Sequence, residues 1–218
     1  MKKKLKNIFS IFLLPLFLIG TSLKASETKI SLIETNWSFK GVFGKFDRGE
    51  LRRGYQVYTE VCSGCHSMSA LSYRNLSEEG GPEFSIEIVK NIAASFDVID
   101  GPNSEGEMFT RPGRPSDKFV DPYPNIQASM ASNGGAYPPD MSVLAKARNG
   151  GGAYIYSLLQ GYQEAPEGFS LDDGVYYNKY MEGNQIKMPN VLSEDLVEYA
   201  DGTKATTEQM AEDVSSFL

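Results

Sequence analysis

From Asp47 the chain reads DRGELRRGYQVYTEVCSGCH, and its apolar positions recur at helical intervals. Leu51, Tyr55, Tyr58 and Cys62 fall three or four residues apart, with Val61 beside them. Asp47 and Glu50 stand at capping-box spacing at the head of this run. The pattern predicts an amphipathic helix from about residue 48 into the cysteine pair. Gly54 sits inside it, where glycine weakens a helix relative to alanine, so close approach of another helix is expected there. A second helical pattern covers 85–96 (SIEIVKNIAASF). Residues 141–161 predict two short helices broken by the glycines at 150–152. The last pattern is TTEQMAEDVSSFL, with Thr206 and Gln209 at capping-box spacing and Met210, Val214 and Phe217 on one face.

Between these runs periodicity is lost. Residues 27–46 form an irregular lead-in carrying the only tryptophan, Trp37. Residues 78–140, apart from 85–96, are rich in Gly, Pro, Asn and Asp, and 162–205 are again loop-like. Long loops in a compact domain are commonly functional or wrapped round a ligand. The expectation is a mainly α domain with long loop insertions and no internal repeat. The final helix ends at Leu218 without a glycine, a polar cap or a basic residue, so the natural chain is expected to run on.

The first residues have a different character. Lys2, Lys3, Lys4 and Lys6 precede an apolar run from Ile8 to Gly20, followed by the small residues Thr21, Ser22, Ala25 and Ser26. This is the layout of a secretory signal peptide, with cleavage expected between 22 and 26. The apolar run is shorter than the roughly 20 residues that span a bilayer. Its lysine-rich, arginine-free start points to bacterial export. Domain organisation is therefore read as a signal peptide over 1–25 and one domain over 26–218. Removing residues 1–25 leaves 16 basic and 28 acidic residues, a net charge of −12. Such a chain is a poor nucleic-acid binder; its acidity suits a cationic protein partner, and equally simple solubility.

The chemistry is concentrated in VCSGCHSM. Cys62 and Cys65 are the only cysteines and His66 the only histidine. A structural zinc site needs four ligands, and only three such side chains exist. A redox dithiol belongs at a strand-to-helix turn, whereas this pair closes a helical pattern. A plain disulfide here would close too short a loop to stabilise much. Haem attachment accounts for all three residues: the thiols form thioethers with the vinyl groups and the adjacent imidazole meets the iron. With one histidine, bis-histidine ligation within the chain is excluded. An open sixth position would mean ligand binding or catalysis, as in a peroxidase; a filled one means electron transfer. Met68 is too near His66 to reach the opposite face, and Met210 reads as core. Met108, Met130, Met141, Met181 and Met188 remain. Pro189 biases Met188 towards an extended backbone, from which a loop can present a thioether.

The chain also resembles the cytochrome c1 family, the haem c subunits of quinol–cytochrome c reductase, the cytochrome bc1 complex. The resemblance runs through RRGYQVYTEVCSGCHSM, YRNL, DGPNSEGEMFTRPGRPSDKF, DPYPN, NGGAYPPDMS, AKARNGGGAYIYSLLQGY, YYNKYMEGNQIKMP and YADGTKATTEQMAEDVSSFL. It implies a class-I cytochrome-c-like helical domain around one covalent haem c. It implies that Cys62 and Cys65 carry the haem, that His66 and Met188 are the axial ligands, and that Arg148 contacts a propionate. The implied function is electron transfer from the Rieske iron–sulfur protein to a soluble cytochrome c, beside cytochrome b, with no catalytic site of its own. The implied location is the periplasmic side of a bacterial inner membrane. The family's C-terminal hydrophobic anchor is not in this sequence. A free or other-complex periplasmic c-type cytochrome is the alternative. Two acidic stretches, Asp97, Asp100, Glu105 and Glu107, and Glu164, Glu167, Asp172 and Asp173, are expected to steer a cationic acceptor.

Overall fold

The computed structural model describes residues 30–218, so the signal peptide expected over 1–25 lies outside the described residues. Six α-helices are present among these residues: α1 (Arg48–Val57), α2 (Ile86–Ala94), α3 (Ile126–Ser132), α4 (Leu144–Ala147), α5 (Gly152–Gln160) and α6 (Thr207–Phe217). Two small antiparallel pairs accompany them: β1 (Asp97–Asp100) with β2 (Phe109–Pro112), and β3 (Tyr176–Tyr177) with β4 (Gln185–Ile186).

Helix α1 starts where Asp47 accepts from the Glu50 amide at 2.9 Å. Only this half of the expected capping box forms. The Glu50 carboxylate turns inward and accepts from the Ser38 and Ser216 hydroxyls, so a buried charge-bearing group is satisfied by partners far apart in the chain. Beyond Val57 the helix widens into a π turn over Tyr58–Cys62, closed by Ser63 N–H donating to Tyr58 O at 2.8 Å. The predicted run into the cysteines is therefore present, but its last turn is not α.

The expected helix contact at Gly54 is with α6. A Cβ at Gly54 would lie 2.1 Å from the Asp213 carbonyl oxygen, so only hydrogen fits at this crossing. The pair is locked by Arg53, which donates to both oxygens of the fully buried Asp213 at 2.9 and 2.8 Å and to Asp201 at 2.9 Å. The rings of Tyr55 and Tyr58 meet Phe217 with centroids 5.7 and 6.0 Å apart. Helix α5 packs on α6 through Gln160, which donates to Thr207 O at 3.0 Å, and through the Tyr156 hydroxyl, 3.2 Å from Glu208. Thr206 caps α6 as its spacing predicts, accepting from the Gln209 amide. Between α4 and α5 the break falls at Gly150 and Gly151, both at positive φ. The core between these helices and the loops holds Tyr58, Met68, Tyr73, Val89, Met210 and Val214.

The stretch 78–140 is more ordered than its composition suggests. It contains the β1–β2 hairpin and α3 besides α2. Each strand has four residues with little burial, so no alternation is legible. The hairpin is held by Arg111, which pairs with Asp100 at 2.5 Å and Asp117 at 2.7 Å. Helix α3 is capped by Asn125 yet buries only Ser129, so it has no apolar stripe to detect.

Candidate functional site

The π turn delivers Cys62 at its end, and the chain then folds tightly: Cys65 N–H and His66 N–H both donate to Cys62 O, at 3.1 and 3.0 Å. Both cysteines are free thiols. Burial, with Cys65 nearby, pushes the Cys62 thiol up to about 12, so it stays protonated at neutral pH. Cys65 is exposed and lies 4.0 Å from the Tyr123 hydroxyl, at the wall of a cleft of about 140 Å³ that Tyr137 and Pro138 also line.

His66 is 8 % exposed. Its Nδ1 lies 2.8 Å from the Pro139 carbonyl oxygen. A carbonyl only accepts, so Nδ1 carries the proton and Nε2 presents a lone pair. Burial lowers the proton affinity of the ring, against the Pro139 bond, which raises it. Its backbone carbonyl accepts from the buried Tyr58 hydroxyl at 3.3 Å. Pro139 thus orients the ring and Tyr58 holds the backbone beneath it, as a metal-binding histidine requires of its surroundings.

Asp140 places Pro139. Its carboxylate accepts from the Ser67 hydroxyl, from the Ser69 amide and hydroxyl, and from the Ser142 amide. Burial opposes its ionisation, but these bonds from Ser142 and Ser69 outweigh it and hold the carboxyl well below the usual carboxylate range. Met141 N–H donates to Ser67 O at 2.8 Å, closing the same junction. Sequence reasoning did not single out Asp140; its only signal was the PPD block within NGGAYPPDMS.

Met188 is half-buried in the bend after β4. Its carbonyl accepts from Tyr162 at 3.0 Å, and the adjacent Lys187 donates to Gly134 O at 2.8 Å. Residues 134–139 therefore touch Lys187 at one end and His66 at the other. The other methionines among the described residues are committed or exposed. Met68, Met141 and Met210 are buried in the core, Met181 takes the Tyr154 hydroxyl at 3.7 Å, and Met108 and Met130 are 60 % and 39 % exposed. Arg148 follows α4 and is exposed; its guanidinium reaches only the Ala147 carbonyl, at 3.3 Å, and forms no ion pair among the described residues. The structure thus gathers Cys62, Cys65 and His66 into one turn and links the Met188 loop to them through residues 134–139. Among the described residues no hydrogen bond joins that turn to Met188 or Arg148.

Comparison with known proteins bears on this arrangement. A family model described as the Cytochrome C1 family matches residues 37–218. The chain belongs to the cytochrome c1 family. It is 45 % identical over 216 residues to the cytochrome c1 of Rhodospirillum rubrum, covering 92 % of this chain and 78 % of that one. It is 50 % identical over 182 residues to "Cytochrome c1 2, heme protein, mitochondrial" of Arabidopsis thaliana, covering 84 % and 58 %. It is 48 % identical over 201 residues to the "Cytochrome b/c1" of Bradyrhizobium diazoefficiens, covering 84 % of this chain and 29 % of that one. The chain thus spans 29 % and 58 % of the last two relatives. The mainly helical architecture, with α1 packed on α6 and long loops, fits the class-I cytochrome-c-like fold of this family.

Haem c, the cofactor of the family, fits the residues present. Two unbonded thiols one turn apart suit thioether formation, and beside them stands an imidazole whose outward nitrogen has no hydrogen-bond partner among the described residues.

Proposed function

We propose that this chain is the haem-bearing electron-transfer subunit of a quinol–cytochrome c reductase, taking electrons from a Rieske iron–sulfur protein and delivering them to a soluble cytochrome c. The observation that carries the reading is His66, with Nδ1 held by Pro139 and Nε2 free, directly after two unbonded cysteines. When bound, haem c supplies a reversible one-electron couple. Cys62 and Cys65 would hold it by thioethers, and His66 Nε2 would ligate the iron. Met188 would supply the other axial ligand; the engagement or exposure of the other methionines supports this choice. Arg148, exposed and without a carboxylate partner among the described residues, suits a propionate.

Residues 1–25 would export the chain, placing the domain at the periplasmic face of a bacterial inner membrane beside cytochrome b. Among the described residues no helix is long and apolar enough to cross a membrane. The acidic stretch Glu164–Asp173 would steer a cationic acceptor, because its four carboxylates are exposed and form no ion pair among the described residues. In the first stretch Asp100 is neutralised by Arg111, which leaves Asp97, Glu105 and Glu107 for that role.

Two spectra test the reading. The purified protein should keep its haem through denaturation, and the Cys62→Ser, Cys65→Ser double variant should lose it. Carbon monoxide should leave the reduced spectrum unchanged, as a filled sixth position demands. A large shift would instead make the iron open and the protein a ligand-binding or catalytic haem protein.

A further inference from the structure

The lead-in before α1 ends in a turn that none of the preceding roles uses. In SFKGVFGKF, residues 38–46, the tip side chains Val42 and Phe43 are 94 % and 95 % exposed. The turn is constructed. Gly44 N–H donates to Gly41 O at 3.2 Å and Lys45 N–H to Ser38 O at 3.0 Å. Gly41 sits at φ +92°, and a Cβ at Gly44 would meet the Phe39 carbonyl at 2.3 Å, so both ends of the tip require glycine. Below the tip Phe39 stacks on Phe46 at 4.5 Å and on Trp37 at 5.5 Å, and Trp37 meets Tyr156 of α5 edge-on at 6.0 Å. An aromatic column therefore holds two apolar side chains out in water, away from the core that could have covered them.

We propose that the Val42–Phe43 turn seats in the headgroup layer of an anionic lipid membrane. Charge and size select this occupant. Lys40 and Lys45 flank the tip, are exposed and form no ion pair among the described residues, and no acidic residue lies between 36 and 46. This is a basic spot on a chain whose residues 26–218 carry a net charge of −12, and it matches an anionic surface. Two side chains at the end of a turn are far too few for a protein interface, which buries about 800 Å² on each partner. They suit shallow insertion, with apolar side chains below the headgroups and lysines at their level. The inference rests on the turn alone and stands whether or not the haem reading holds.

The test places a photoreactive benzoylphenylalanine at position 43 (Phe43→p-benzoylphenylalanine) in the full haem-loaded chain. It is illuminated in native membranes and on vesicles of phosphatidylcholine with and without phosphatidylglycerol. An unchanged absorption spectrum certifies the fold, since the replaced side chain touches solvent. The expected product is a lipid adduct, several-fold more abundant when phosphatidylglycerol is present. Lys40→Gln with Lys45→Gln should remove that excess and leave the yield on phosphatidylcholine alone unchanged. An adduct to another polypeptide, or to residues 1–29 of this chain, overturns the proposal, and so does the absence of any lipid adduct. A yield indifferent to phosphatidylglycerol overturns the anionic preference.

Discussion

His66 is set by contacts that reach across 73 residues to Pro139 and Asp140. The pattern CSGCH names the chemistry, because the residue types and their order are local. What orients the ring is not local, and Asp140 looks in the sequence like any exposed acid in a proline-rich loop. Met188 stands between these cases: Pro189 beside it is a local hint, and the burial, engagement or exposure of its rivals is tertiary. On the proposed ligation, Met188→His should lower the midpoint potential by a few tenths of a volt, since thioether ligation favours reduced iron. Redox titration followed at the haem bands checks this, and an unchanged potential removes Met188 from the ligand set.

At the scale of the element, the junction of α1 and α6 decides stability. Gly54→Ala sets a methyl against the Asp213 carbonyl, where neither backbone can yield cheaply, and should cost about 3 kcal/mol. Denaturant unfolding reads this directly; a loss below the measurement error would mean that the helices separate freely. Arg53→Met leaves the buried Asp213 charge without its partner and should cost about 3–5 kcal/mol. Replacing Asp213 by Asn in the same chain should recover part of that loss. The third arm of this network is pH-sensitive. Hydrogen bonds from the Thr203 backbone, with Arg53, pull Asp201 down to about 2. A depressed carboxylate stabilises the fold above its unfolded pKa, near 4, and that contribution disappears as pH falls towards 2. Melting temperature should therefore fall through this window, less steeply in Asp201→Asn. Helix periodicity and caps predicted α1, α2, α5 and α6, because each buries an apolar stripe. The hairpin β1–β2 and helix α3 left no such mark: ion pairs from Arg111 and a side-chain cap hold them, and these partners are recognisable only once folded.

For the whole molecule the governing quantity is the field of an anionic domain. On the proposed function, electron transfer to a cationic cytochrome c should slow as ionic strength rises, roughly tenfold from low to near-molar salt. Stopped-flow mixing measures the rate. Glu164→Lys with Glu167→Lys should flatten the salt dependence without moving the reduction potential; a rate indifferent to salt removes the electrostatic account of docking.

The sequence by itself determined the helical frame and the sign of the surface, and it carries the proposed chemistry of attachment, because each depends on residue types, near-neighbour spacing or simple counts. Only the tertiary structure decided which carbonyl holds the imidazole, which helix requires Gly54, and which acidic residues Arg111 pairs with. It also left Val42 and Phe43 in water, although their composition alone suited a core. The reason is physical: these outcomes depend on distances between segments far apart in the chain, and packing alone sets those distances.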